Sequence, residues 1–151
     1  MKKLIFLSAM LIVISQVYSK NVIPPHYKGE KTAMFNQDII DIAKKNTNFR
    51  KEIITGKNSQ VVVMSIPVGG DIGQETHPST DQTLFFVQGR GVAILNGQTS
   101  EIAPNHLVFV PAGTQHNFKN TGNEELKLIT IYAPPQHKPG TVQKTKPQEK
   151  Y

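Results

Sequence analysis

Residues 83–102 read TLFFVQGRGVAILNGQTSEI, and this stretch decides the fold. Runs of strand-forming residues alternate in it with turn residues, first Gly89-Arg90-Gly91 and then Asn96-Gly97. An Asn-Gly pair between two such runs is a strong short-range signal for a two-residue β-hairpin turn. The stretch therefore predicts consecutive antiparallel strands.

The same pattern continues on both sides of this stretch. We predict strands over residues 52–55, 60–68, 83–88, 92–95, 98–102, 107–110, 116–120 and 126–132. Many short strands at this spacing are typical of an all-β sandwich or barrel. After Ala133, the residues Pro134, Pro135, Pro139 and Gly140 interrupt any further ladder, so we expect the chain to end as a surface tail.

One short helix is predicted before the first strand. Ile39, Ile40 and Ala43 recur at helical spacing, and Lys45 suits the C-terminal end of a helix. Asn36 is the residue that we expect to cap its N-terminus.

The chain begins with the features of an export signal. Lys2 and Lys3 precede an apolar run at residues 4–14, and residues 16–19 have the small-residue spacing that a signal peptidase recognises. The run is too short to span a bilayer, which needs about 20 apolar residues. We therefore expect cleavage after Ser19 and a periplasmic or secreted product with no membrane span, rather than an uncleaved anchor.

These patterns divide the chain into four predicted segments. They are a signal peptide at residues 1–19, an N-terminal arm and short helix at 20–48, a β-barrel at 49–133 and a tail rich in proline and lysine at 134–151. The formal net charge is +6, with a cluster of lysines in the tail. Because we expect the product to be exported, we predict no nucleic-acid partner and interpret this cluster as a solvated basic tail. The chain has no cysteine, which excludes disulfides, thiolate metal sites and cysteine nucleophiles.

Four side chains form a candidate metal site. Glu75 and His77 are two residues apart, so on a strand they point to the same face. The turn that follows lets Gln82 return toward that face, and His116 opens a strand far downstream. In a small barrel, strands distant in sequence line one interior, so the four can converge. For Gln82, a structural amide hydrogen-bonded to a neighbouring strand is as well supported as coordination.

The spacing of these residues resembles that of the cupin superfamily. Gly70, 75–77, Gln82 and Gly89 resemble the first cupin motif, and 111–116 with Asn120 resembles the second. The resemblance implies a single cupin fold of the RmlC-like jelly-roll type, an antiparallel β-barrel with an N-terminal arm and one short helix. The run 75–82 is similar to the bacterial group labelled mannose-6-phosphate-isomerase-like.

The family's metal ligands fall on Glu75, His77, Gln82 and His116. Glu75 replaces the usual histidine, Gln82 the usual glutamate, and Asn105 the glycine that opens the second motif. Asn tolerates the positive φ of that glycine. Two imidazoles, one carboxylate and one amide oxygen suit Mn, Fe, Ni, Co or Zn better than Ca or Mg. With a divalent ion this set carries about one net positive charge, which favours an anionic ligand.

Three functions remain open at this point. The resemblance implies a metal-dependent enzyme, isomerase-like or dioxygenase-like, for a small anionic or carbohydrate-like molecule. The alternatives are a non-catalytic periplasmic binding or sensing protein, and a metal-free structural cupin. We expect a homodimer, because an exposed sheet edge near residues 49–55 or in the N-terminal arm would suit one. We expect His26, His106 and His137 at the surface, and the aromatic residues Phe85, Phe86, Phe109, Phe118 and Tyr132 in the core or the pocket wall.

Overall fold

The computed structural model describes residues 34–147. The predicted signal peptide, the first part of the predicted arm and the last four residues lie outside the described residues. Across the described part of the chain, no helix has the length and hydropathy needed to cross a membrane.

One helix and nine strands make up the described fold. They are α1 (Ile39–Lys45), β1 (Arg50–Thr55), β2 (Gln60–Ile66), β3 (Asp81–Gln88), β4 (Gly91–Leu95), β5 (Gln98–Ile102), β6 (Leu107–Val110), β7 (His116–Asn120), β8 (Leu126–Ala133) and β9 (Val142–Gln143). Eight of these strands match the predicted ones to within two residues at each end. Runs of β-branched and aromatic residues bounded by turns therefore located the strands well.

The strands form two antiparallel sheets. One has six strands in the order β6-β3-β8-β2-β1-β9, and the other has three in the order β5-β4-β7. Alternate residues of both sheets point inward and form the main core, from Val62, Leu84 and Leu128 on one side to Phe118 and Ala93 on the other. This arrangement confirms the predicted all-β jelly roll of antiparallel strands.

The outer face of the larger sheet carries a second, smaller core. Ala43 of α1 packs there with Val63 of β2 and Ile129 of β8. Among the aromatic residues, Phe86, Phe118 and Tyr132 are fully buried, as predicted. Phe109 is not, because it lies on the outer face of the edge strand β6, where 51% of it is exposed.

The predicted helix is present, but its cap is different. Asp38, not Asn36, is the N-cap, and its carboxylate accepts a hydrogen bond from the Asp41 amide at 3.0 Å. The other end of the helix is tied to the sheet by Lys127 of β8, whose ammonium donates to the Lys44 carbonyl at 2.7 Å. A buried lysine therefore satisfies a helix-end carbonyl that would otherwise lack a partner.

The turn chemistry follows the sequence closely. Asn96 and Gly97 have φ values of 47° and 81°, as the predicted β4–β5 hairpin requires. Asn105 has a φ of 71°, so it takes the backbone conformation expected of the glycine it replaces. Gly91 is needed for lack of space, because a Cβ at this position would overlap the Lys119 carbonyl of β7.

The described residues after Ala133 lie at or near the surface, as expected, but the expectation that they form no further ladder is wrong. The prolines do end β8, but the chain turns back and forms β9, which pairs with Arg50 and Lys51 of β1. The Glu52 amide also donates to the Thr141 carbonyl at 2.8 Å. The β1 edge, which we expected to be exposed, is therefore covered at this end, and the homodimer stays a prediction.

Candidate metal centre

A backbone bridge brings Glu75 next to His116. Each amide donates to the other residue's carbonyl at 2.9 Å, as an isolated antiparallel pair. The spacing of Glu75 and His77 had suggested one continuous strand, but Glu75 does not lie on one. It pairs instead with the first residue of β7, and this long-range contact places the first and second motifs side by side.

His77 is fixed from the opposite direction. Its carbonyl accepts a hydrogen bond from the Gly113 amide at 2.8 Å, in the turn that precedes β7. Its Nε2 lies 3.5 Å from Glu75 Oε2, and its ring centre lies 5.3 Å from that of His116. Both imidazoles are buried.

The three side chains form a compact cluster. One ligand atom from each of Glu75, His77 and His116 can be chosen so that all lie within 4.8 Å of one another. Two ligands that share an ion at about 2.0–2.2 Å are at most about 4.4 Å apart, so a small side-chain movement would let all three bind one ion. Glu75 Oε2, His77 Nε2 and His116 Nε2 are all buried without a hydrogen-bond partner in the described chain. Buried polar atoms normally have hydrogen-bond partners, so a metal ion bound by all three atoms is the simplest explanation for their lack of partners.

The tautomer of His116 suits coordination. Its Nδ1 lies 2.8 Å from the Thr114 carbonyl, which can only accept, so Nδ1 carries the proton and the Nε2 lone pair faces the cluster. Burial lowers the pKa of His116, and the bond to Thr114 opposes this only in part. The imidazole is therefore neutral at neutral pH, as a metal ligand must be.

Glu75 is held in its charged form. Burial would raise the pKa of its carboxyl group, but the nearby His77 imidazole and the charge of Arg50 outweigh burial and keep the pKa below its usual value. The cluster therefore offers one anionic oxygen and two imidazole nitrogens.

Gln82 faces the barrel interior from β3. Its Nε2 donates to Thr130 Oγ1 and to the Tyr132 hydroxyl, both at 3.1 Å. These two partners fix the orientation of the amide and leave Oε1 buried without a partner in the described chain. The ring of Tyr132 in turn packs edge-on against His77, with centres 5.7 Å apart.

The sequence analysis missed Arg50. It stands opposite Met64 in the β1–β2 ladder, so it lies on the interior face, and only 6% of it is exposed. Its Nη2 donates to Glu75 Oε1 at 3.3 Å. Arg50 precedes the strand predicted at residues 52–55, so no local sequence pattern indicated an inward-facing side chain.

His137 was also misplaced, because we expected it at the surface. The buried Gln60 side chain holds its backbone, donating to its carbonyl at 2.7 Å and accepting from its amide at 2.9 Å. The ring stands edge-on to Tyr132 at 5.0 Å, and its Nε2 is buried without a partner in the described chain. Burial and then the charge of Arg50 lower the pKa of His137 to about 4.

This pKa makes the stability of the fold depend on pH. Between pH 6.5 and 4 the unfolded chain takes up a proton at His137 and the folded chain does not, so the free energy of unfolding falls as the pH is lowered. Because the side chain is partly exposed, we expect His137 to account for about 1–2 kcal/mol of this fall. Urea unfolding of wild type and His137→Asn across this range measures the difference.

His106→Asn is the matched control, since His106 is exposed at the surface. This variant should retain the wild-type slope of unfolding free energy against pH. Equal slopes for wild type and His137→Asn would contradict the placement of His137 in a buried, cationic environment.

The fold and the cluster together define a class: a single-domain jelly roll with a mixed nitrogen and oxygen site inside it. The Cupin domain family matches residues 62–132, which include Gln82 and both histidines of the cluster. The crystal structure of BH2720 from Bacillus halodurans is 42% identical, covers 80% of this chain and 94% of its own, and superposes with a TM-score of 0.75. This chain belongs to the cupin domain family.

Two curated relatives extend the comparison. The uncharacterized protein YrkC of Bacillus subtilis is 48% identical over 68% of this chain, and the match spans 59% of the length of YrkC. The acireductone dioxygenase of Bacillus anthracis is 22% identical over 80% of this chain and 78% of that enzyme.

Proposed function

We propose that this protein binds one divalent transition-metal ion through Glu75, His77 and His116, with Gln82 as a fourth ligand, and acts on a small anionic molecule there. One observation carries the proposal. Each of the four side chains has a buried ligand atom with no hydrogen-bond partner in the described chain. Leaving four such atoms unpaired would cost about 1–3 kcal/mol each, which an ion would offset.

The donor set indicates the kind of ion. Two neutral imidazoles with one carboxylate and one amide oxygen suit Mn, Fe, Ni, Co or Zn. Ca²⁺ and Mg²⁺ prefer an all-oxygen set, so they fit this site less well. We therefore expect a transition metal in the protein as it is purified without chelators.

When bound, such an ion supplies Lewis-acid chemistry or binds dioxygen. The chain supplies the surroundings. Thr114 fixes the tautomer of His116, and Tyr132 with Thr130 aims the Gln82 oxygen. Burial raises the pKa of Tyr132, so its hydroxyl keeps its proton near neutral pH. His137, whose pKa lies near 4, is a neutral imidazole that can accept a hydrogen bond from a bound molecule.

The reaction type is supported less directly than the ligand set. The match to an acireductone dioxygenase favours oxygen chemistry over the isomerase reading. The resemblance of residues 75–82 to the mannose-6-phosphate-isomerase-like group favours the isomerase reading. A non-catalytic binding protein is the second candidate. It is favoured because the pKa values of Tyr132 and His137 both lie far from neutrality, so neither group transfers a proton readily near pH 7.

Metal content and turnover test the proposal together. Protein purified without chelators should contain close to one transition-metal ion per chain by mass spectrometry. Iron-loaded protein should then consume dioxygen with a member of a panel of sugar acids, hydroxy acids, sugar phosphates and diols. Product without dioxygen uptake would select the isomerase reading, and saturable binding without product the binding protein. Absence of metal after reconstitution would refute the proposal.

We also propose that the site operates outside the cytoplasm, on the strength of the export signal predicted at residues 1–19. N-terminal sequencing of the protein recovered from the periplasm or the medium should begin at Lys20. Recovery of the uncleaved chain from the cytoplasm alone would contradict this.

A further inference from the structure

Arg50 is a buried cation with spare hydrogen-bonding capacity. Its Nη1 donates to the Gln143 side chain at 2.9 Å, and its Nη2 reaches Glu75 through one contact of 3.3 Å. The guanidinium also lies 5.4 Å from the ring centre of Phe49. Its Nε–H is buried and has no partner in the described chain. Arginine binds carboxylates most strongly through two parallel hydrogen bonds, and Arg50 makes only one with Glu75.

The charge at the site depends on the metal. Without an ion, the Arg50 cation and the Glu75 anion balance each other across their contact. A divalent ion bound to Glu75 raises the sum to two positive charges, because the imidazoles of His77 and His116 bind in their neutral form. Uncompensated charge inside a protein is costly. The metal-loaded site therefore favours an anion that contacts Arg50.

The space for such an anion lies against the same residues. A cavity of about 230 Å³ is lined by Phe49, Arg50, Ile72, Gly73, Gln74, Glu75, Lys146 and Pro147. A cavity of about 150 Å³ in another protein holds benzene, so this volume admits a small organic acid. Lys146 also lines the cavity, but its charge is balanced by its ion pair with Asp71, so Arg50 is the cation that an anion would meet there.

We propose that Arg50 is the anion-binding residue of the site and holds the carboxylate of a small organic acid beside the metal ligands. The inference rests on the proposed function, because metal binding creates the positive charge that the acid neutralises. Arg50 contacts one oxygen of the Glu75 carboxylate, and His77 lies beside the other. The acid's carboxylate and its metal-binding oxygen must therefore be close together, as they are in a short hydroxy acid. Binding of metal and acid is cooperative.

Glycolate is a short hydroxy acid and therefore a suitable probe. Calorimetry measures its binding to the Zn²⁺-loaded chain. Arg50→Gln should weaken glycolate binding at least tenfold, whereas Arg50→Lys should retain part of the affinity. Arg90→Gln is the matched control, since Arg90 is the other arginine of the chain and is exposed. It should bind as wild type does. Wild-type glycolate affinity in Arg50→Gln would overturn the inference, and so would tighter binding of inorganic phosphate than of glycolate.

A spectroscopic measurement on the wild type avoids any effect of substitution on folding. With two arginines, the ¹H–¹⁵N spectrum has two Nε–H signals, which Arg90→Gln assigns. Glycolate should shift the Arg50 signal and leave the Arg90 signal in place; an unmoved Arg50 signal at saturation overturns the inference. Glycolate should also tighten Zn²⁺ binding, and Arg50→Gln should abolish this coupling.

Failure of the proposed function has its own signature. If the wild type binds no Zn²⁺, the metal proposal fails, and the metal-free chain then tests Arg50. A glycolate-dependent shift of its Nε–H signal would still support the anion site, and no shift would refute it.

Discussion

His77→Ala and His116→Ala are each expected to lower the affinity for a transition metal by at least about 100-fold. Loss of a residue that only orients a ligand costs about 10–100-fold in other metal sites, so loss of a ligand should cost more. Each histidine supplies a buried Nε2 to the cluster. Competition with a fluorescent chelator, monitored alongside circular dichroism, measures the affinity and verifies the fold.

Two further variants sharpen this experiment. Gln82→Ala should cost less than either histidine, because a neutral amide contributes a dipole and no charge. His106→Ala should bind metal as wild type does, since His106 is exposed and lies outside the cluster. Retention of wild-type metal affinity by both histidine variants would show that the ion, if any, binds elsewhere.

Phe118→Ala is expected to lower the free energy of unfolding by about 3–5 kcal/mol, the usual cost of removing a buried phenylalanine ring. Phe118 is fully buried on β7 and packs against Phe86 with ring centres 5.8 Å apart. Its ring also lies 6.0 Å from that of His116. The cavity left behind should therefore loosen a metal ligand, and metal affinity should fall as well. Urea unfolding measures the stability.

Phe109→Ala is the control of the same chemistry. Half of Phe109 is exposed on β6, at the edge of the larger sheet and away from the cluster. We expect a loss of stability below about 1 kcal/mol and unchanged metal affinity. A loss equal to that of Phe118→Ala would contradict the assignment of the core to the space between the two sheets.

The strands and turns were readable from the sequence because they depend on local chemistry. Asn96-Gly97 dictates its own hairpin, and Asn105 adopts positive φ because its short polar side chain tolerates it. The strand boundaries follow from runs of apolar residues that end where turn residues begin. The helix was located by its spacing, but its cap was misassigned, since Asn36 and Asp38 are equally plausible caps and only the course of the backbone selects Asp38.

The candidate ligands were readable for a different reason. Glu75, His77, Gln82 and His116 sit in two motifs whose spacing resembles that of a known family, so the family's geometry was carried over with them. Glu75 and His77 were expected to share one face of a strand, which does not account for their contact. Glu75 and His77 do meet, but through the bridge to His116 and the hydrogen bond to Gly113, which link residues about forty positions apart.

The sequence alone therefore determined the class of fold, the turns and the metal-ligand candidates, because each is encoded by neighbours in the chain or by motif spacing. The tertiary structure alone decided that Arg50 and His137 belong to the site. Arg50 reaches it because the ladder with β2 turns its side chain inward, and His137 because Gln60 and β9 fold the tail back. Both placements depend on contacts between segments more than 70 residues apart or on ladder register, which no local pattern encodes.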